Sequence, residues 1–350
     1  MGGNDSNNLI VPLASQTYGN YASGRGELAA PMSTLSPLLS TRLASRFGMP
    51  PETQALAALY RLQALAFVAN VGDVLRPINK QQYFVNPAGA APPDVSSHTA
   101  TSKMQFLLGG WATPQWWSAL LRQTPDEFEA QAFKFADGMT AASTSGSWIT
   151  GPRLNNPSLS SALDSIVVRT PFPQTGIGLQ LLRAVKLAQA GANLGLGNQI
   201  INCQMGGWDT HANQASQNTQ LYTELSQALY AFYHATIELR LSQTVTAFTW
   251  SEFNRSLAPN QTHGTAHGWG GNQIVIGGAV AGGDVYGALP SFQLGGPDDA
   301  GGNGSWIPST STAQFAATLA NWFGLSAAEQ RSAFPGLVNF PTVNLGFFRA

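Results

Sequence analysis

Four clusters in this 350-residue chain hold the side chains able to do chemistry: Gly207-Trp208-Asp209-Thr210-His211, Ser251-Glu252-Phe253-Asn254-Arg255, His263-Gly264-Thr265-Ala266-His267-Gly268, and Gly2-Gly3-Asn4-Asp5-Ser6-Asn7-Asn8 at the start. The first two each follow a strand-like run, and in open α/β sheets ligands collect where loops leave the carboxyl ends of strands. Carboxylates and imidazoles meeting there offer hard oxygen and borderline nitrogen donors, the set that suits zinc or manganese and, with two ions, ester hydrolysis. Asp209 and His211 are close enough in sequence to reach one ion from a single turn.

Each motif also has a plainer reading. Asp209 can cap the helix that follows it, with His211 in its first turn. Glu252 can pair locally with Arg255, and His263 and His267 can be loop residues on a charge-poor surface. His234, inside a long helix beside Tyr233, reads as packing, and Cys203, inside a strand, as an inert thiol. Ser97-His98 supplies a hydroxyl and an imidazole, although adjacent Ser and His do not make a triad. No Gly-x-Ser-x-Gly elbow, Walker loop or His-Glu-x-x-His helix occurs. Gly176-Ile177-Gly178 lacks the preceding strand and third glycine of a dinucleotide fingerprint.

The elements that must position these groups read as helix and strand in alternation. Leu38, Leu39, Leu43 and Phe47 recur at helical spacing, and Glu52 to Leu65 repeats the pattern before the strand Ala66–Val71. Pro77 to Val95 reads as a long loop, Ser102–Leu108, Pro114–Arg122 and Asp126–Phe135 as helices, and Ser165–Val168 as a strand. Further helices are expected from Gly178 to Ala190, after Gly207, and from Ala313 to Phe323. Strands are expected at 198–205, 244–250 and 273–276. This order predicts one α/β domain over 1–350 with a mostly parallel central sheet between helix layers, least regular over about 72–170.

Composition narrows the function classes. Charged residues make up 10% of the chain, and 17 Lys+Arg against 18 Asp+Glu leave a net charge of −1, which argues against electrostatic capture of nucleic acid or an anionic membrane. The single cysteine excludes an intrachain disulfide and a Cys-rich metal site. No run reaches the length of a membrane span, and the first residues lack the regions of a signal peptide.

Taken in order, Gly2-Gly3-Asn4-Asp5-Ser6-Asn7-Asn8-Leu9-Ile10-Val11-Pro12, Ser97-His98, Gly206 to His211 with Gln214, Ser251 to Arg255, Gly268-Trp269-Gly270-Gly271, Gly277-Gly278-Ala279-Val280-x-Gly282-Gly283 and Tyr286-Gly287 resemble the bacterial domain-of-unknown-function 1501 family. The resemblance runs from Gly2 to the tail near Phe348. That family is grouped with the alkaline-phosphatase and sulfatase superfamily, whose fold places metals at the ends of parallel strands. Its members commonly carry a twin-arginine export signal, which implies a periplasmic or secreted protein. The resemblance places Asp5, Asp209, His211, Glu252 and His267 where metal ligands are expected.

The motifs and the resemblance together imply an exported metal-dependent hydrolase-like protein acting on phosphate or sulfate esters, its substrate a small-molecule or carbohydrate ester. Asp5 and Glu252 would hold one divalent ion and Asp209, His211 and His267 another, the ion being zinc, manganese or calcium. Arg255 would pair with the ester oxyanion, and Ser97, beside His98, is the candidate nucleophile. Phosphate is preferred to sulfate because Cys203 lacks the context that matures to formylglycine. The sequence departs from the family at Ala266 and Ala100, where relatives carry acidic residues, at Asn254, where they carry glycine, and before Asp5, where a strand and export signal are expected. The two alanines weaken the expected metal site. They favour the alternative of a catalytically degenerate binding or assembly protein of the cell envelope, whose aromatic-rich, charge-poor surface suits sugar stacking or self-association.

Overall fold

The computed structural model describes residues 3–91, 95–98, 162–163, 165–195 and 199–349, and the backbone of 147–150. The expected helices at 102–108, 114–122 and 126–135 lie outside the described residues, as does Ala100.

The chain opens with β1 (Val11–Pro12) and α1 (Ser15–Arg25), followed by β2 (Ser36–Ser40) and β3 (Ser45–Met49). Leu38 to Phe47, expected as a helix, is therefore a hairpin: Leu38 and Phe47 face each other across antiparallel strands while Leu39 points outward. Leu39, Leu43 and Phe47, spaced by four residues, satisfy both the helical and the two-residue period, and the cross-strand pairing of Leu38 with Phe47 selects the hairpin. α2 (Gln54–Arg61) then leads into β4 (Leu65–Gly72), in which every residue is buried.

β4 is the hub. Leu65, Phe67 and Ala69 face one core with Leu56, Leu59, Leu225, Leu229 and Phe232, whereas Ala66, Val68 and Val71 face a second core with Val275, Phe315 and Leu319. This alternation, shifted by one residue at Asn70, whose φ is 47°, sandwiches the strand between two apolar layers and explains its hydrophobic run from Leu65 to Ala69.

After α3 (Lys80–Val85) come β5 (Ser147–Thr150), α4 (Gly176–Asn193), β6 (Ile200–Cys203), α5 (Gln214–Glu238), β7 (Ala247–Phe248), β8 (Arg255–Pro259), β9 (Thr265–His267), β10 (Gly271–Ile276), β11 (Val285–Tyr286), β12 (Thr310–Ser311), α6 (Thr312–Trp322) and α7 (Ala327–Ala333). The helix α3 interrupts the loop expected over 77–95, and its capping box, Asn79 with Gln82, is written in the sequence.

The architecture is α/β, as expected, but its sheets are small and mixed. β11 and β12 run parallel to β4, whereas β10 runs antiparallel to both β4 and β7. β6 is not in this sheet at all; it pairs antiparallel with β5. The mostly parallel expectation fails at β10, which is reached from β7 through the β8–β9 hairpin and not through a helical crossover, and which lies antiparallel to β7 and β4. Two other expected strands are curtailed. Of the strand expected at Ser165–Val168, Ser165 is helical and residues 166–168 form no ladder, and just beyond them Glu238 accepts from Arg169 N and Thr170 N at 2.7 and 2.8 Å. Thr244 and Val245 turn back onto the Leu241 carbonyl. Among the described residues no helix is long and apolar enough to cross a membrane.

Beneath the sheet ends lies a charged centre. Arg25 and Asp5, 1% and 0% exposed, form an ion pair, and Asp5 also accepts from Asn7 N at 3.0 Å, Asn7 Nδ2 at 2.9 Å, Asn218 Nδ2 at 3.3 Å and Gln214 Nε2. A buried pair satisfied on this many sides tolerates loss of neither partner. Arg25→Met, which leaves the Asp5 carboxylate buried and unpaired, should cost about 3–5 kcal/mol of stability in urea denaturation; an unchanged midpoint would show that the pair is not a structural anchor.

Candidate functional site

The loop carrying Asp209 and His211 is pinned at both ends. Trp208, buried, packs edge-on to Tyr222 with centroids 4.9 Å apart. The His211 carbonyl accepts from Asn260 Nδ2 at 3.0 Å and Thr262 Oγ1 at 2.6 Å, and Thr265 N donates to the Thr210 carbonyl at 3.1 Å. These bonds press the β8–β9 turn onto the loop. Only glycine fits at 264, since a Cβ there would lie 2.1 Å from the His211 carbonyl carbon. Asp209 is thereby brought against Arg255 of β8 and His267 of β9.

The Glu252 segment is held from the other side. Asn4 N donates to Ser251 Oγ at 3.1 Å, and Gly3, at φ 62°, passes so close to the Phe253 ring that a Cβ would sit 2.5 Å from it. The Phe253 ring lies 4.4 Å from that of His267 and 4.9 Å from that of His98, centroid to centroid. It forms an apolar wall behind the two imidazoles.

Asp209 is the centre of the constellation. Its Oδ1 faces His211 Nε2 at 2.9 Å, His267 Nε2 at 3.0 Å and the Nη1 of Arg255, and its Oδ2 faces His98 Nε2 at 3.2 Å. His98, Asp209 and His267 each present an atom with which one cation could be held in common. The other nitrogens are spoken for. A carbonyl or carboxylate oxygen only accepts, so His267 Nδ1 donates to the Ser96 carbonyl at 2.7 Å and His98 Nδ1 donates to Glu252 Oε2 at 2.5 Å. The proton positions are inferred from these partners. In their neutral forms both rings therefore turn an Nε2 lone pair toward Asp209, itself an acceptor. His211 and His267 meet Nε2 to Nε2 at 3.2 Å, where one proton at most can lie between them. So many converging lone pairs require positive charge among them, either protons on the rings or a cation.

The electrostatics agree. Burial alone would lower the pKa of His98, but Glu252 and Asp209 outweigh it and hold the pKa above the ordinary imidazole range. Burial likewise works against the Asp209 carboxylate, yet Arg255, His98, His211 and His267 bring its pKa below the usual range. His211 is lowered by burial and by the charge of Arg255.

The structure thus brings Asp209, His211, Glu252, His267 and His98 together, and it reassigns three residues. Asp5 lies in the buried centre with Arg25, so it does not share an ion with Glu252; its carboxylate is committed to other donors. Arg255 is fully buried and spends its guanidinium on Asp209 and on Thr265, whose hydroxyl accepts from Nε at 3.1 Å and whose carbonyl accepts from Nη2. It props Asp209 and is not placed to meet an ester oxyanion. Glu252 acts as the acceptor that orients His98. Ser97, half-buried, lies between Ser96 and His98, both of which touch the cluster. Ala266 is exposed, and strand alternation directs its Cβ to the face opposite Thr265 and His267. His267 lies in a strand, contrary to the plain loop reading, and the signal for it was the i, i+2 pair Thr265 and His267. Thr265 and Ser96 were not singled out, because their contribution depends on partners remote in sequence.

In metal-free protein the raised pKa of His98 contributes stability below the unfolded imidazole pKa, and this is lost as pH rises through the folded value. The stability gap between wild type and Glu252→Gln should be widest near about pH 5–6, where an ordinary carboxyl is ionised and an ordinary imidazole protonated, and should close at alkaline pH; melting curves with chelator across this range check it, and a pH-independent gap would refute it. Ala266→Asp should change stability by no more than about 0.5 kcal/mol and leave divalent-metal affinity, read by calorimetry, unaltered.

Neither the curated proteins nor the solved structures include a match to the chain. Residues 170–302 match the family model described as protein of unknown function (DUF1501), and that segment holds Asp209, His211, Glu252, Arg255 and His267 while His98 and the Asp5–Arg25 pair come from outside it. Over this segment, 133 of the 350 residues, the chain is similar to the DUF1501 family.

Proposed function

We propose that this chain is an exported, metal-dependent hydrolase-like protein acting on phosphate or sulfate esters, with a divalent ion held by His98 Nε2, Asp209 and His267 Nε2 and with His211 Nε2 as a further donor. The observation that carries the reading is the pair of fixed tautomers: Ser96 and Glu252 take the Nδ1 protons, leaving the Nε2 lone pairs of two histidines aimed at one carboxylate. Histidine ligands are characteristically oriented by such outer acceptors. Imidazoles with one carboxylate suit zinc or manganese better than calcium, which prefers oxygen throughout. When bound, such an ion polarises an ester oxygen and makes water a nucleophile near neutral pH.

The protein's own groups have separable roles in this reading. Glu252 and the Ser96 carbonyl orient the imidazoles, Arg255 holds Asp209, and the Phe253 ring excludes water from behind. His211, 53% exposed, is the ring most open to an incoming ester, and Ser97 beside His98 is the candidate nucleophile. An alkaline-phosphatase-like ancestry and export to the periplasm or beyond belong to the same proposal and rest on the family resemblance. One observation favours the degenerate binding protein instead. With Arg255 buried, no arginine of the cluster among the described residues is free to neutralise an anionic ester.

Protein purified without chelator should carry near-stoichiometric zinc or manganese by elemental analysis and should melt lower in EDTA, since an ion bound only to the folded state stabilises it. His267→Ala should lose the metal and the EDTA effect together. Metal bound without turnover of either a phosphate or a sulfate ester would move the assignment to a binding protein. Metal-free protein indifferent to EDTA would end the metal-centre reading.

A further inference from the structure

Gln214, the first residue of α5, is fully buried and stands between the two charged layers of the protein. Its Nε2 donates to Asp5 Oδ2, and its Oε1 accepts from Thr210 Oγ1 at 2.8 Å and from Thr265 Oγ1 at 2.5 Å. The Thr265 hydroxyl in turn accepts from Arg255 Nε at 3.1 Å, and Arg255 Nη1 donates to Asp209. The directions in this series are fixed from both ends, since the Asp5 carboxylate only accepts and the Arg255 Nε–H only donates. The Asp5 carboxylate accepts only, so the amide must turn its nitrogen inward and its oxygen toward the threonines. Thr265 must then spend its proton on Gln214, which leaves its lone pair for Arg255 Nε–H. An amide turned the other way would confront the carboxylate with an oxygen and the hydroxyls with a donor.

We propose that Gln214 is a positioning residue that, oriented by Asp5, takes the Thr265 proton, turns the Thr265 lone pair toward Arg255 and so fixes Asp209 in the histidine cluster. The effect on Arg255 stands by itself; the consequence for metal affinity rests on the metal-centre reading. The backbone of Gln214 is anchored independently, its N donating to the His263 carbonyl at 2.8 Å, so replacing the side chain leaves the start of α5 held.

The charged and titratable groups around the amide are Asp5, its partner Arg25 on α1, Arg255 on β8, and Tyr222 of α5, whose hydroxyl donates to the Asp5 carbonyl at 2.7 Å. Gln214→Glu exploits this surrounding. While the new carboxyl is protonated it donates to Asp5 and accepts from the threonines, which keeps every direction intact. Once ionised it faces Asp5 as a second buried carboxylate and reverses the pattern. Gln214→Met removes both functions at all pH values.

The experiment has two arms. In metal-free protein, exchange of the Arg255 Nε–H is followed by nitrogen-15 NMR, with the Arg76 Nε–H, which donates to the Gly89 carbonyl at 3.1 Å, as the remote reference. Relative to wild type at the same pH, exchange should be about tenfold faster or more in Gln214→Met throughout, and in Gln214→Glu only as pH rises; a tenfold loss corresponds to about one lost neutral hydrogen bond. In the second arm zinc affinity, measured against a chromophoric chelator, should fall about tenfold in Gln214→Met and in Gln214→Glu only at the higher pH. Unchanged Arg255 protection in Gln214→Met, or pH-independent behaviour of Gln214→Glu, overturns the proposal, and Gln214→Glu alone decides it if Gln214→Met does not fold. Wild-type protein that takes up no zinc would instead overturn the metal-centre reading, and the first arm would still decide the role of Gln214.

Discussion

The buried ion pair between Asp5 and Arg25 is the constraint to which the rest of the site answers. Two charges removed from water cost several kcal/mol each unless their remaining valences are filled, and the fold fills them from three directions. Asn7 contributes from the same loop, Gln214 and Asn218 from α5, and the Ser256 and Leu257 carbonyls from β8 accept from the guanidinium. Satisfying this one pair therefore fixes the opening loop against α1, α5 and the β8–β9 hairpin. The apolar cores bring these elements near one another without setting their register to a fraction of an ångström; directional bonds to a buried charge do.

Outward from that centre the site grades from fully buried to half-exposed, and the chemistry grades with it. Arg255 and Gln214 are sealed, Glu252 is mostly covered, and the imidazoles of His98 and His211 reach solvent. Interactions among the sealed groups are strengthened by the low local dielectric and are slow to rearrange, whereas the exposed imidazole edges remain free to exchange protons or to take a ligand. The contrast with His263 and Glu27 is instructive. They form an ion pair of similar appearance at 2.6 Å, but both lie on the surface, where such a pair contributes little, and among the described residues no second acceptor fixes the histidine.

The sheet serves this arrangement indirectly. β4 separates two cores by sending alternate side chains to each, and β10 beside it carries the chain back from the hairpin that holds Arg255 and His267. Because β10 is antiparallel, its start lies at the same end as the turn of residues 268–270, which joins it directly to β9. The site thus stands on a hairpin and a long helix more than on a row of parallel strand ends.

The sequence by itself determined the local chemistry and much of the secondary structure. Asp209, His211, Glu252 and His267 were legible because carboxylates and imidazoles are scarce in a chain with so few charges, and the first three fall just beyond strand-like runs. β4 was legible from its apolar run, and α5 from its helical period. Other features had no local signature. The stretch from Leu38 to Phe47 satisfies two periods, and only pairing with a neighbouring strand selects one. The direction of β10 depends on how its connection travels, which a pattern of apolar residues does not record. Arg25, in a polar helix, belongs to none of the motifs, Arg255 reads as the partner of Glu252 or of an ester oxyanion, and His98 reads as the neighbour of the candidate nucleophile Ser97. Each took its role from burial and from partners contributed by distant parts of the chain, and burial is a property of the packed fold, because it is decided by what the other residues leave uncovered.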